Sequence, residues 1–195
     1  MNFFTSDLHF GSNQTIKMDN RPFKNAKQFE KVTLKKWNKL AKHNDTIYVI
    51  GDLVDCHSST DMACVDKLNI VKKIKAKVIL ITGNNEDRII KYFFDNSFEK
   101  FKNHCLNLGY LDVKTSDTIT INNQNFYLVH KPKHHNKDML NLFGHSHKAM
   151  GIYKSFGFNV GCDLNNYMPY SENDIIYLLQ KKQEFWDKDE NLKLI

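Results

Sequence analysis

The chain has 195 residues, of which 41% are hydrophobic and 12% aromatic, a composition typical of a folded globular protein that excludes a disordered one. No apolar run approaches the roughly 18 residues of a membrane-spanning helix, and we expect no signal peptide at the N-terminus. Four scattered cysteines without a CxxC pair favour free thiols in a reducing cytoplasm. The net charge of +6 is typical of a well-solvated surface and, more weakly, favours a phosphorylated or polyanionic partner.

The first half of the chain predicts strands that alternate with helices. Apolar runs at residues 2–5, 46–50 and 77–82 are typical of buried strands. Apolar residues at helical spacing predict one helix over residues 25–42 and a second from about residue 59 to 75, opened by a Ser/Thr cap. A strand, a helix and a strand at this spacing predict that the strands at 46–50 and 77–82 pair in parallel.

The second half is richer in strands. Residues 118–121 and 125–129 flank an Asn-Asn pair and predict a hairpin, and further strands are predicted at 139–143 and 156–160. Ser171 is the expected N-cap of a final helix. No linker or repeat divides the chain, so we predict a single domain over residues 1–195, made of two half-motifs whose sheets pack together. We expect the polar last ~10 residues to fray.

Five short clusters of metal-ligand side chains run along the chain, and four of them directly follow a predicted strand. They are Asp7-Leu-His9, Gly51-Asp52, Gly83-Asn84, His130 and Gly144-His145-Ser146-His147. Because strand ends in α/β sheets deliver ligands to one edge, we expect these side chains to converge. Carboxylates and imidazoles without thiolates suit Mn, Fe, Zn or Ni and argue against a structural zinc site. Two ions roughly 3.5–4 Å apart, bridged by a carboxylate, can clamp an in-line displacement at phosphorus.

These motifs, in this order, resemble those of the calcineurin-like metallophosphoesterase superfamily across nearly the whole chain. Within it, the chain is most similar to small stand-alone bacterial and phage-type phosphoesterases, through residues 6–11, 21–23, 37–38, 159–163 and 167–169. The resemblance implies an α/β fold, a four-layer α/β/β/α sandwich with mixed sheets, and two divalent metal ions, with Mn preferred to Fe, Ni or Zn. It implies that one ion is held by Asp7, His9, Asp52 and His147, and the other by Asp52, Asn84, His130 and His145. A hydroxide between the ions would be the nucleophile.

The chain departs from the superfamily pattern at the position of the usual proton donor. Where the superfamily has His after Gly-Asn, this chain has Asn85, which can donate a hydrogen bond to a phosphoryl oxygen but cannot act as a general acid. We therefore predict a catalytic and substrate-binding role for Asn85 without proton transfer. A second histidine of the subgroup is also missing, at Ser12-Asn13. We hypothesise that His134, His135 or His57 supplies the proton, and we name His134 as the catalytic candidate.

Other polar residues near the motifs have two interpretations each. Arg21 is a candidate contact to a substrate phosphate, because a guanidinium matches phosphate oxygens with paired donors, or it forms a structural salt bridge. Asp55 and Glu86 lie beside predicted ligands in the sequence and could orient an imidazole. Asp163 could do the same, or simply end a strand.

The first function that we predict is that of a dinuclear-metal phosphodiesterase, with Asp52 as the bridging catalytic ligand. Its substrate would be a phosphate ester such as a nucleotide, a cyclic nucleotide or a nucleic acid, with no membrane and no obligate protein partner. The nearest alternative is a phosphomonoesterase of the same fold. The others are a degenerate scaffold used for binding, which the complete ligand set argues against, and non-catalytic nucleic-acid binding through the basic surface.

Overall fold

The computed structural model describes residues 1–149, 151–153 and 156–187. Within these residues the chain forms two five-stranded sheets and six α-helices. The strands are β1 (Asn2–Thr5), β2 (Thr46–Ile50), β3 (Lys77–Ile81), β4 (Asp112–Lys114), β5 (Asp117–Ile121), β6 (Gln124–Val129), β7 (Leu140–Phe143), β8 (Ile152–Tyr153), β9 (Gly157–Asn159) and β10 (Tyr170–Ser171). The helices are α1 (Asn13–Met18), α2 (Ala26–Leu40), α3 (Ala63–Lys67), α4 (Asn84–Phe93), α5 (Phe98–Leu108) and α6 (Glu172–Lys181). Shorter 3-10 helices cover Leu68–Lys73, Pro132–His134 and Cys162–Asn165, and a π-helical stretch, Lys182–Asp187, follows α6.

The first sheet has the strand order β10-β1-β2-β3-β4. Strands β1 to β4 are parallel to one another, with Phe3 opposite Ile47 and Ile47 opposite Val78, whereas β10 joins the edge in antiparallel orientation. Their apolar sequences follow from burial on both faces, which is usual for parallel strands. The predicted parallel pairing of residues 46–50 with the strand that begins at Lys77 is confirmed.

The second sheet has the order β5-β6-β7-β9-β8. Strands β6, β7 and β9 are parallel, and the antiparallel strands β5 and β8 form the two edges. The predicted hairpin is confirmed: Asn122 and Asn123 join β5 to β6 with φ of 49° and 64°. Two successive left-handed residues are what a two-residue hairpin turn requires, and Asn tolerates this conformation. Both sheets are mixed, as predicted.

Helices cover one face of the first sheet and form a large apolar core with it. Phe29 and Trp37 of α2, Ile89 of α4 and Phe101 of α5 are all fully buried in this core. They pack against alternate residues of the parallel strands, such as Val49. The 3.6-residue period of the helices and the 2-residue period of the strands therefore present their apolar side chains to the same layer.

The opposite face of the first sheet packs against the second sheet. Phe4 and Ile81 of the first sheet meet Phe126 and Phe158 of the second, and Ile175 of α6 joins this second core. The N-cap predicted at Ser171 is confirmed, since its side chain accepts from the N–H of Asp174. These layers make an α/β sandwich of two mixed sheets, in agreement with the predicted fold class.

One predicted helix differs in extent. The segment from residue 59 to 75 is not one helix, because α3 begins only at Ala63 and a 3-10 helix replaces it from Leu68 onward. The preceding residues form turns in which the N–H of His57 donates to Asp61. Leu68 and Val71 are three residues apart and both buried, which suits the three-residue repeat of a 3-10 helix.

Six of the named helices and strands were not predicted: α1, α4, α5, β4, β8 and β10. Helix α5 has clear end signals in hindsight, since Ser97 caps its first turn and Gly109 ends it with a left-handed φ of 109°.

In the described part of the chain, no helix combines the length and the apolar character needed to cross a bilayer. The expectation that the last ~10 residues fray falls mainly on residues 188–195, which lie outside the described residues.

Candidate metal centre

The candidate ligands lie where strands of both sheets end. Asp7 follows β1, Asp52 follows β2 and Asn84 begins the helix after β3, whereas His130 follows β6. His145 and His147 lie in the loop after β7. The two sheets meet at this edge through the hydrogen bond from the N–H of Ser6 to the carbonyl of Val160, 3.1 Å long. All seven predicted ligands are consequently brought together, although they are spread over 141 sequence positions, from 7 to 147.

Five of these seven residues have left-handed backbone conformations. The φ angles are 57° at Asp7, 50° at His9, 52° at Asp52, 70° at His145 and 45° at His147. A non-glycine residue rarely adopts this conformation, which costs of order 1–3 kcal/mol and concentrates at functional sites. The tight turns aim the five side chains at a common centre. The sequence motifs alone do not reveal this strain.

Two glycines allow the strand ends to approach closely. A Cβ atom at Gly51 would overlap the imidazole of His130 and would lie 2.8 Å from the Cα atom of Gly83. A Cβ atom at Gly83 would overlap the carboxylate of Asp52. Any side chain at either position would therefore displace a candidate ligand.

The first group of candidate ligands consists of Asp7, His9 and His147, whose ligand atoms lie within 4.8 Å of one another. The Nδ1 atom of His9 lies 2.7 Å from Asp55, and the Nδ1 atom of His147 lies 2.7 Å from Asp19. Each carboxylate fixes its ring so that Nε2 faces the centre, as carboxylates do beside metal-bound histidines. The Nε2 atom of His9 is buried and has no hydrogen-bond partner. Because buried polar atoms are normally paired, this orphaned nitrogen fits a metal ligand.

The second group lies on the other side of Asp52. The Nδ1–H of His130 donates to the carbonyl of Ile50 at 2.9 Å, which leaves its Nε2 atom free for a ligand role. The Oδ1 atom of Asn84 lies 3.1 Å from this Nε2 atom and 2.9 Å from Nδ1 of His145. These three side chains thus direct one oxygen and two nitrogens at a single point.

The carboxylate of Asp52 lies between the two groups. Its Oδ2 atom is 3.6 Å from Nε2 of His9, and its Oδ1 atom is 3.6 Å from Nε2 of His130. One oxygen therefore faces an imidazole of each group, as a bridging ligand requires, and Oδ2 also accepts a hydrogen bond from Nδ2 of Asn84 at 2.9 Å. Asp7 also lies within 4.8 Å of Asp52 and His130, so its carboxylate is close to both groups and not to the first alone.

The centre carries an excess of negative charge. Burial lowers the pKa of His9, but the hydrogen bond to Asp55 and the charges of Asp52, Asp55 and Asp7 outweigh it, so the pKa is raised overall. Burial and the nearby Asp52 carboxylate raise the pKa of Glu86 to about 7. Closely packed buried carboxylates are costly unless cations compensate them. Divalent cations would supply that compensation here.

Glu86 supports the centre through the backbone. Its carboxylate accepts hydrogen bonds from the N–H groups of Asp52 at 2.9 Å, Leu53 at 3.0 Å and Gly83 at 2.8 Å. It thereby joins the end of β2 to the end of β3. The suggestion that Glu86 orients an imidazole is therefore corrected, whereas the same suggestion for Asp55 agrees with its contact to His9.

Arg21 is a structural residue and not a substrate contact. Its side chain is fully buried and donates to the carbonyls of Asp7 at 2.7 Å and Leu8 at 2.8 Å. The same guanidinium pairs with Asp163 at 2.6 and 2.9 Å. The prediction that Arg21 contacts the substrate phosphate is corrected, because burial removes its donors from the cleft. Arg21 instead holds the left-handed turn that contains Asp7 and His9.

A cleft of about 320 Å³ opens over the two groups of candidate ligands. His57 lines it, with Nε2 3.3 Å from Asp55. His134 lies elsewhere, in a separate cavity of about 180 Å³ behind His130, and Nδ1 of His135 contacts the carbonyl of Pro132. The choice of His134 as the catalytic histidine is therefore corrected, since the cleft contains His57 and not His134.

Asn85 lines the cleft, but the residue is only 2% exposed. Part of its side chain is already hydrogen-bonded within the protein. Its Oδ1 atom accepts from the N–H of Cys56 at 3.1 Å and from Arg88 at 3.2 Å. Only its Nδ2 group, 3.5 Å from Nδ1 of His9, is left to donate into the cleft. Arg88 also lines the cleft and was not predicted from the sequence. A hint was available: Arg88 is three residues after Asn85, which places both on one face of a helix.

The comparison with known proteins gives the family. A family model described as calcineurin-like phosphoesterase matches residues 3–167, so the protein belongs to this family. The chain is 27% identical over 188 residues to the uncharacterized protein MJ1445 of Methanocaldococcus jannaschii, covering 92% of this chain and 91% of that protein. Family membership implies a phosphate-ester hydrolase that uses divalent metal ions, for which the two groups above are candidate ligands.

A solved structure shows the same fold. The protein of unknown function AQ665 from Aquifex aeolicus superposes with a TM-score of 0.66 at 22% identity, covering 91% of this chain and 98% of that one. The nuclease MPE of Pseudomonas putida gives a TM-score of 0.46 at 21% identity, covering 75% of this chain and 61% of that one.

Proposed function

We propose that this protein is a dinuclear-metal phosphodiesterase. The main supporting observation is the carboxylate of Asp52, which directs one oxygen to an imidazole of each of the two ligand groups. The buried, unpartnered Nε2 atom of His9 adds support, because a metal ion would satisfy it. Asp7, His9, Asp52 and His147 would hold one ion, and Asp52, Asn84, His130 and His145 the other. Mn suits this mixture of oxygen and imidazole ligands, with Fe, Ni or Zn as alternatives.

The residues around the ions have separate tasks in this proposal. When bound, the two ions would lower the pKa of a coordinated water and neutralise charge on the phosphoryl oxygens. Asp55 and Asp19 hold the imidazoles of His9 and His147 in the orientation that a metal requires. Asn85 donates from Nδ2 to a phosphoryl oxygen, since its Oδ1 atom is already occupied.

We assign proton donation to His57 in place of His134. His57 lines the cleft, and Asp55 lies within 3.3 Å of its Nε2 atom. An imidazole can donate a proton to a leaving oxygen, and the contact with Asp55 holds this one beside the cleft. Asp55 would then serve both His9 and His57.

The preference for a diester follows from charge and from the missing imidazole. A diester carries one negative charge fewer than a monoester dianion, so it needs less neutralisation by the protein. The position where the family usually has a histidine carries Asn85, which removes one potential cation from the substrate side. A phosphomonoesterase of the same fold is the alternative. Free cysteines at positions 56, 64, 105 and 162 support a reducing compartment, and we propose the cytoplasm.

The decisive experiment compares bis- and mono-nitrophenyl phosphate with the Mn-loaded protein, together with the number of metal ions bound per chain. We expect about two ions and faster hydrolysis of the diester. In D52N both metal binding and hydrolysis should fall sharply, whereas D66N, which changes an exposed aspartate, should behave as the wild type. Faster monoester hydrolysis would contradict the diester preference. A protein that binds no metal and hydrolyses neither ester would favour a binding scaffold.

A further inference from the structure

The two arginines of this chain have distinct positions in a lysine-rich protein. Only Arg21 and Arg88 are arginines among its 28 basic residues. Arg21 is buried beneath the turn that holds Asp7 and His9, and Arg88 lines the cleft above the candidate ligands. The described residues that line this cleft include no lysine, and Arg88 is the arginine among them. Arginine differs from lysine in presenting a rigid fork of donors that matches the oxygens of a phosphate.

Within residues 1–149, 151–153 and 156–187, the guanidinium of Arg88 has neutral partners only. Its Nη1 atom donates to Oδ1 of Asn85 at 3.2 Å and to the carbonyl of Cys56 at 3.3 Å. Among the described residues no carboxylate lies within ion-pair distance of Arg88, although the adjacent Asp87 pairs with Lys131 at 3.3 Å. The other donors of Arg88 remain for a ligand. A guanidinium that lines the cleft of a phosphoesterase and has no carboxylate partner is suited to bind an anion.

Asn85 holds Arg88 in this position. Its Oδ1 atom accepts from Arg88 and from the N–H of Cys56, while its own N–H is fixed by Asp52 at 2.9 Å. Asn85 thus contacts the Asp52 carboxylate through its backbone N–H and the Arg88 guanidinium through its side-chain oxygen. The residue that replaces the family's usual histidine therefore couples the metal centre to a different cation.

We propose that Arg88, positioned by Asn85, binds an anionic phosphoryl oxygen of the substrate in the cleft. This inference rests on the proposed phosphoesterase function and identifies the group that recognises substrate charge. Because a guanidinium stays protonated at any relevant pH, Arg88 stabilises charge and transfers no proton. It therefore complements the proton donor and does not replace it. The class of substrate is a phosphate ester with an oxygen anion that is not bound by the ions.

The test is direct binding of inorganic phosphate to the Mn-loaded protein, measured by isothermal titration calorimetry. In R88M we expect affinity to fall by about 10- to 100-fold, the range for a lost charge-assisted hydrogen bond. R88K should recover part of this loss, because it keeps the charge without the fork. K91M removes a cation one turn further along the same helix and should change affinity less than about twofold. Metal content should be equal in all four proteins.

Two further comparisons make the result decisive. N85A should weaken phosphate binding, and R88M should add less to N85A than it does to the wild type, because the two residues act together. Equal affinities in R88M and K91M would overturn the assignment of Arg88, even if the wild type hydrolyses esters. A wild type that binds no Mn and hydrolyses no phosphate ester would instead overturn the proposed function itself.

Discussion

The candidate metal centre and the substrate side of the cleft, which carries His57 and Arg88, are held by different numbers of contacts. Asp7, Asp52 and His130 are at most 2% exposed, and each is fixed by neighbouring backbone or side-chain groups. On the substrate side, the His57 side chain is 53% exposed and Arg88 is held by two hydrogen bonds longer than 3.1 Å. The first region is determined by many contacts at once, and the second by few.

This difference indicates that the fold fixes the metal-binding residues more firmly than the substrate-binding residues. Left-handed turns and buried polar ligands are costly and persist only when their surroundings hold them. Residues that meet a substrate must leave donors free, so they have fewer partners in the protein. We therefore expect substitutions behind the metal centre to act on stability and metal affinity, and substitutions on the substrate side to act on rate.

The largest effect on stability is expected from R21M. The substitution removes the donors to the carbonyls of Asp7 and Leu8 and leaves Asp163, whose side chain is 4% exposed, without its partner. Losing one member of a buried ion pair costs about 3–5 kcal/mol. Urea denaturation of the metal-free protein would measure this loss. The double variant R21M/D163N should recover part of it, and a loss below that of an exposed control such as K17M would contradict the structural role of Arg21.

On the substrate side, H57N should slow hydrolysis of a diester with an alkyl leaving group by about 10²–10⁴-fold, because such a group must be protonated as it leaves. With a nitrophenyl leaving group, which departs as an anion, the effect should be much smaller. H134N is the matched control, since His134 lines a different cavity, and should change neither rate. Equal slowing of both substrates by H57N would argue against proton donation. Slowing by H134N alone would identify His134 as the proton donor.

The convergence of the candidate ligands could be predicted from the sequence, whereas the residues that support them could not. Short motifs after apolar strands identify Asp7, Asp52 and His145 because the carboxyl ends of neighbouring strands meet at one edge. Asp19, the partner of His147, lies 128 positions away in the chain, after a short helix that carries no motif. Contacts of this kind depend on how α1 packs, which a single sequence does not specify.

The substrate side was predicted less well for a related reason. His134 and His57 are both histidines close to a motif in sequence, and only the path of the loops separates them. Residues 131–134 turn away from the cleft through a 3-10 helix, whereas the turns after Asp55 keep His57 within 3.3 Å of that carboxylate. The prediction for Arg21 was wrong because a guanidinium suits a phosphate and a buried carboxylate equally well.

A smaller effect, on metal affinity, is expected from D55N. The carboxylate of Asp55 fixes Nδ1 of His9 at 2.7 Å, and removal of such a support typically weakens metal binding by about 10- to 100-fold. Competition of Mn with a fluorescent chelator would measure the change. D61N is a suitable control, because Asp61 contacts only the N–H of His57 among these residues, at 3.4 Å. An unchanged Mn affinity in D55N would show that His9 is held by the fold alone.

The smallest effect is a dependence of Mn affinity on pH. The pKa of His9 is raised, since the hydrogen bond to Asp55 and the charges of Asp52, Asp55 and Asp7 outweigh the effect of burial. Protonated His9 stabilises the metal-free protein at low pH, and this contribution is lost as the pH rises through the raised pKa. Mn must displace that proton, so its affinity should rise with pH by at most about tenfold per unit for one proton. Titrations at several pH values in two buffers of different ionisation enthalpy would count the protons released. Because Asp55 is a main cause of the raised pKa, the rise of Mn affinity with pH should occur at lower pH in D55N. An identical dependence of Mn affinity on pH in the wild type and in D55N would show that the titrating group is not His9.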